Sequence, residues 1–235
     1  MSTIWGKAVL DTLEERVAPS HTAIIAVDLQ NDFAHPDGHG RHYGDVSRGI
    51  GVLAPNRGLL EAARRADVFI SYTQQVRRSD GSMDTAAFLA KSVESMGIEP
   101  GFCFEGTWGA EICDEVAPVG GDVVVRKNRR SGFAGTNLDV MLRDRGIKTT
   151  VITGLAMSGC VEATVRDAIE LGYYVVVPRD CVDNYTLEQY EDSLKTYARI
   201  LMNENLTTSE RLLQFWDSGA PSTRAPARAA ASAEA

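Results

Sequence analysis

Short runs that stay apolar from one residue to the next, separated by stretches with helical periodicity, constrain this chain more than any other feature. The runs are Thr22–Val27 (TAIIAV), 68–72 (VFISY), 123–125 (VVV), 149–153 (TTVIT) and Tyr174–Pro178 (YVVVP). A strand with one wet face alternates apolar and polar residues, whereas a strand covered on both faces does not. Between the runs, 52–66, 136–145 and 160–171 carry apolar residues at helical spacing, such as Leu138, Met141 and Leu142, or Val161, Val165, Ala168 and Ile169. Gly146 and Gly172 stand where the last two of these helices should end. The pattern predicts a three-layer α/β/α sandwich around a mostly parallel, doubly wound, Rossmann-like sheet. In such a sheet the active site lies beyond the carboxyl ends of the strands.

No linker breaks the alternation, so a single domain is expected over residues 1–218, with 219–235 (small, Pro-containing, low in complexity) expected to be a disordered tail. The segment 76–107 is the longest connection and a candidate lid or subunit contact. The 235 residues carry 24 Lys and Arg against 32 Asp and Glu, a net charge of -8. That balance argues against a nucleic-acid partner, which needs clustered cations. No apolar run is long enough to span a membrane, and acidic residues occupy the place of a signal peptide's apolar stretch. A cytoplasmic protein acting on a small molecule is the expectation, as a homo-oligomer (dimer or tetramer). Cys103, Cys113, Cys160 and Cys181 form no C-x-x-C pair, which disfavours a zinc ribbon or redox pair. All four histidines, His21, His35, His39 and His42, fall in the first 42 residues.

Three strands end on residues an apolar core would not choose. TAIIAV runs into Asp28, VVV runs through Arg126 into Lys127, and TTVIT leads through GLAMSG to Cys160 at a predicted helix start. An acid, an amine and a thiol would meet on one sheet edge, where a helix N-terminus also lowers a thiol pKa. Each has a plainer reading: a helix cap for Asp28, a solvated charge for Lys127, a packed core residue for Cys160. Their joint occurrence favours the site.

Asp28 in AVDLQNDFAHPDG, Lys127 in VVRKNRRSGFAGTNLD and Cys160 in VITGLAMSGCVEATVRDAIELGYYVVVPRDC together resemble the isochorismatase-like cysteine hydrolase superfamily, over roughly residues 20–215. The resemblance implies that fold and a catalytic triad of Asp28, Lys127 and Cys160. It also implies a cis peptide at Leu155–Ala156 and an oxyanion hole from the backbone N–H groups of Ala156 and Cys160. Met157 departs from the family, which commonly has Thr there. The implied reaction is hydrolysis of a C–N bond in a small ureido or carbamoyl compound through a covalent Cys160 intermediate, releasing ammonia. The alternatives are a simple carboxamide hydrolase of the maleamate or nicotinamide kind, and a non-catalytic binding subunit.

His35, His39, His42 and Asp37 are dense enough to suggest zinc. Zinc-dependent nicotinamidases of the superfamily, however, place an Asp-x-His pair and a later His around the second strand, and here that strand leads into TQQVRRSDGSMD. No metal and no cofactor are therefore expected. Phe33, Trp108, Arg129, Ser131 and Phe133 are the candidate substrate-binding residues. RKNRRSGF matches the K-x-R-x-S-G-F stretch of ureidoacrylate-type enzymes, and an arginine there can clamp a carboxylate.

Overall fold

In the computed structural model, which describes residues 1–96 and 101–217, an antiparallel hairpin of β1 (Ser2–Ile4) and β2 (Lys7–Val9) and a one-turn helix α1 (Leu13–Arg16) precede the sheet. The sheet strands are β3 (Thr22–Val27), β4 (Phe69–Gln75), β5 (Val123–Lys127), β6 (Thr149–Gly154), β7 (Tyr174–Pro178) and β8 (Leu206–Thr207). Their order is β5-β4-β3-β6-β7-β8, and every pairing is parallel. The helices are α2 (Asn31–Ala34), α3 (Val46–Gly51), α4 (Leu53–Arg65), α5 (Ala86–Met96), α6 (Leu138–Asp144), α7 (Glu162–Glu170), α8 (Leu187–Ile200) and α9 (Ser209–Asp217).

The apolar runs of β3, β4, β6 and β7 have the cause expected of them, whereas the VVV run does not: β5 is the edge strand of the sheet, and Val124 is exposed. In β3, Ile24 and Ala26 face a core shared with α4 and α9, through Leu59, Leu60, Leu212 and Trp216. Ala23, Ile25 and Val27 face the other core, with Leu138 and Leu142 of α6 and Val165 of α7. Successive side chains point to opposite faces, so helices on both sides demand apolar residues at every position. Gly146 (φ +67) and Gly172 (φ +86) take the left-handed conformation just past α6 and α7, where a side chain would be strained.

The chain runs outward from β3 to β4 and β5, then returns to build β6, β7 and β8 on the other side. The order thus reverses between β3 and β6, and crevices open at such switch points. Asp28 and the segment leading to Cys160 leave the sheet there. Gly154 pairs with Val27 across this seam. A Cβ on Gly154 would stand 1.9 Å from the Val27 carbonyl oxygen, so the close approach requires glycine.

Several boundaries differ from the sequence reading. β4 continues through Thr73, Gln74 and Gln75, and β5 through Arg126 and Lys127, because strand pairing carries these polar residues to the sheet edge in register. α7 starts at Glu162; Cys160 lies before it, in a wide π-helical turn (Met157–Val161) broken at Gly159. The long connection 76–107 contains α5. The proposed tail 219–235 lies outside the described residues. No helix among the described residues is long and apolar enough to cross a membrane.

Candidate active site

Asp28 is wholly buried and takes a left-handed backbone conformation (φ +51) that turns the chain off β3. It is not a helix cap; Gln30 precedes α2 instead. The Asp28 N–H donates to the Thr73 carbonyl at 3.1 Å. One carboxylate oxygen accepts from the Thr73 hydroxyl at 2.9 Å, the other from Lys127 Nζ at 2.7 Å. Lys127 is no solvated charge: neither side chain of the pair is exposed. Its remaining two N–H groups go to Gln75 Oε1 and the Arg129 carbonyl, both at 3.0 Å. Burial alone would lower the lysine pKa, but Asp28 and Cys160 beside it hold the ammonium above its ordinary value.

Cys160 is half-buried next to this pair. The expected helix-start acidification is not the net outcome. Burial pushes the thiol up to about 12, with Asp28 adding to the rise and Lys127 opposing it, so at neutral pH the resting group is a thiol. The Leu155–Ala156 peptide is cis. The amides around this turn are committed: Met157 to the Asp183 carbonyl, Ser158 to Asn184 Oδ1, and Gly159 and Val161 to the Ala156 carbonyl.

Residues that the sequence reading does not single out hold the pair in place. The Gln30 side chain pairs with the Gln75 backbone as a strand would, accepting its N–H at 2.8 Å and donating to its carbonyl at 2.9 Å. It donates as well to the Ala110 carbonyl at 2.7 Å. Asp32 ties the opposite rim together, accepting from the Cys103 N–H at 2.6 Å and the His39 N–H at 3.2 Å. The signal for Thr73 and Gln75 was their place on a strand end, which the run ending at Tyr72 concealed.

The substrate-binding candidates are scattered. Phe33 joins an aromatic wall, 5.7 Å from Phe102, which is 5.3 Å from His39. Tyr43 stacks on Tyr185 at 5.3 Å. Both tyrosine hydroxyls are pushed up, by burial first and then by neighbours that include Cys160, which places this wall beside the thiol. Tyr43, Phe102 and Tyr185 carried no sequence signal beyond being aromatic. Trp108 is exposed and meets His35 edge-on. Phe133 stacks on Tyr173 in the core beneath α6, and the Ser131 hydroxyl accepts the Phe133 N–H at 3.1 Å, so both hold their own loop. The exposed Arg129 guanidinium lies on the Met83 carbonyl. His39 and His42 contact each other at 4.9 Å, and burial and His42 lower the His39 pKa. Among the described residues, no three His, Cys, Asp or Glu side chains are grouped to hold a metal ion.

Comparison with known proteins gives this geometry a context. The chain is 36% identical over 172 residues to the ureidoacrylate amidohydrolase RutB of Agrobacterium fabrum, covering 69% of this chain and 75% of that one. Among solved structures, a cysteine hydrolase from Pseudomonas syringae pv. phaseolicola superposes with a TM-score of 0.76 at 26% identity, over 90% of this chain and 98% of that one. N-carbamoylsarcosine amidase from Thermoplasma acidophilum superposes with a TM-score of 0.63 at 27% identity, over 81% and 97%. Residues 22–211 match the isochorismatase domain, so the chain belongs to the isochorismatase family and is an amidohydrolase within it.

Proposed function

We propose that this protein hydrolyses the C–N bond of a small ureido or carbamoyl compound and releases ammonia, with Cys160 as nucleophile. The observation that carries the reading is the sealed Asp28–Lys127 pair, 2.7 Å apart, acting on a half-buried thiol. The Asp28 carboxylate takes the thiol proton as Sγ attacks the carbonyl carbon and the C–S bond forms. Because the resting thiol is protonated, this transfer accompanies the attack. Ala156 and Cys160 N–H groups receive the oxyanion; the surrounding amides being committed supports that assignment. As the tetrahedral centre collapses, the C–N bond breaks and Asp28 returns the proton to the leaving nitrogen as ammonia. Water, deprotonated by Asp28, then attacks the S-acyl or S-carbamoyl carbon; the C–S bond breaks and the proton goes back to the thiol. Lys127 keeps Asp28 oriented and offsets the charge developing on sulfur. The relative named ureidoacrylate amidohydrolase supports a ureido substrate.

Ammonia release from ureidoacrylate, biuret, triuret, N-carbamoylsarcosine, maleamate and nicotinamide tests this, with Cys160→Ala alongside. The expected result is turnover of a ureido or carbamoyl compound and a loss of at least about a thousandfold in Cys160→Ala. Preference for maleamate or nicotinamide points to a simple carboxamide hydrolase. Inactivity on every compound, with Cys160 no more reactive to iodoacetamide than the buried cysteines, supports a binding subunit.

A further inference from the structure

Gln75 and Lys127 are direct partners across β4 and β5, both buried. An ammonium has three N–H groups, and Lys127 spends one on Asp28, one on the Arg129 carbonyl and one on Gln75 Oε1. The Gln75 backbone is in turn clamped on both its N–H and its carbonyl by the Gln30 side chain. The backbone that carries the Gln75 side chain is therefore held in place, and the oxygen meeting Lys127 belongs to an amide, which carries no charge. A carboxylate at that point would place a second anion on the same ammonium and cancel the field that Lys127 exerts on sulfur.

We propose that Gln75 is a positioning residue: it takes one Lys127 N–H with a neutral oxygen and fixes the ammonium beside Cys160 without neutralising it. This rests on Cys160 being the nucleophile. The groups facing the thiol are Asp28 at the end of β3, Lys127 on β5, Tyr43 before α3, Cys103 in the 101–107 loop and Tyr185 before α8. Lys127 is the cation that opposes the rise burial imposes on the thiol, so what it is bonded to bears on how readily the sulfur ionises.

The test is the rate of iodoacetamide labelling at Cys160, mapped by peptide mass and measured across about pH 7–10, where the rate follows the thiolate fraction. Gln75→Glu adds an anion at hydrogen-bonding distance from Lys127; labelling at a given pH should slow by about tenfold or more, a rise of at least about one pKa unit. Gln75→Met keeps the length but offers no acceptor for the third N–H, which is then released toward sulfur, so labelling should speed up. Opposite signs distinguish positioning from a packing role, which would move both variants alike. Unchanged labelling in both, or shifts in the same direction, overturns the proposal; if Gln75→Glu does not fold, unchanged or slower labelling in Gln75→Met alone overturns it. Cys160→Ala separates this from the parent reading: persistent turnover there removes the nucleophile, whatever Gln75 does.

Discussion

Two buried ion pairs in this chain have almost the same N–O separation and very different surroundings. Lys127 and Asp28 meet at 2.7 Å, Arg77 and Asp84 at 2.6 Å, and no side chain of the four is more than 3% exposed. The Arg77 guanidinium grips both oxygens of Asp84 and lies against the rings of Phe88 and Phe102, at 5.1 and 4.8 Å. A planar fork on a carboxylate is a closed arrangement that pins the start of the 76–107 connection. At the other pair, Asp28 divides its oxygens between Lys127 and Thr73, Lys127 divides its hydrogens among three acceptors, and a thiol lies alongside. Lys127 divides its hydrogens beside a thiol, whereas the Arg77 fork commits two N–H groups to the two oxygens of one carboxylate. Burial of an ion pair is thus no sign of chemistry until a nucleophile stands next to it.

Breaking the closed pair should have the largest effect, and on stability. Asp84→Ala leaves the Arg77 charge buried without its carboxylate, and removing one partner of such a pair costs about 3–5 kcal/mol. Denaturant unfolding should show that loss as a lower midpoint. A loss below about 1 kcal/mol would mean that Arg77 is satisfied without Asp84.

Breaking the open pair should act on rate. Lys127→Ala and Lys127→Arg should each lower kcat/KM by at least about a hundredfold, or about 2.7 kcal/mol of transition-state stabilisation. The arginine is not conservative, because a guanidinium does not fit a point-charge position between Asp28 and Cys160. Burial already holds the thiol above its ordinary value, with Lys127 opposing the rise; removing that cation pushes it higher, so iodoacetamide labelling of Lys127→Ala should be slower at neutral pH. Near-native turnover and labelling in both variants would make Lys127 as structural as Arg77.

The two pairs also differ in how legible they were in the sequence. Asp28, Lys127 and Cys160 each follow an apolar run, so their placement at one sheet edge follows from parallel strands sharing a direction. Arg77 and Asp84 sit in a polar stretch, TQQVRRSDGSMD, where composition points to solvent. Packing against the rings of Phe88, in α5, and Phe102 takes Arg77 out of water, and composition does not show that contact. Thr73 and Gln75 escape notice for a related reason: the apolar run stops at Tyr72, although β4 continues through the polar residues to Gln75. Spacing alone puts Cys160 at a helix start; the π-helical turn instead sets it one residue before the cap of α7, where burial dominates its ionisation.

The finest difference between the pairs is the second oxygen of each carboxylate, and Thr73→Val tests it. Asp84 gives both oxygens to Arg77, while Asp28 gives Oδ1 to the Thr73 hydroxyl at 2.9 Å. Valine keeps the shape and the β4 backbone, including the carbonyl that accepts the Asp28 N–H, and deletes only the hydroxyl. A hydrogen bond to a charged group contributes about 1.5–3 kcal/mol, but Lys127 still holds the other carboxylate oxygen at 2.7 Å, so the fall in kcat/KM should be only about tenfold, or about 1.4 kcal/mol. It should appear in kcat, since the buried hydroxyl bonds to Asp28. A fall as deep as that of Lys127→Ala would mean that the hydroxyl, and not the ammonium, fixes the orientation of Asp28. No fall at all would mean that Lys127 holds the carboxylate unaided, as Arg77 holds Asp84.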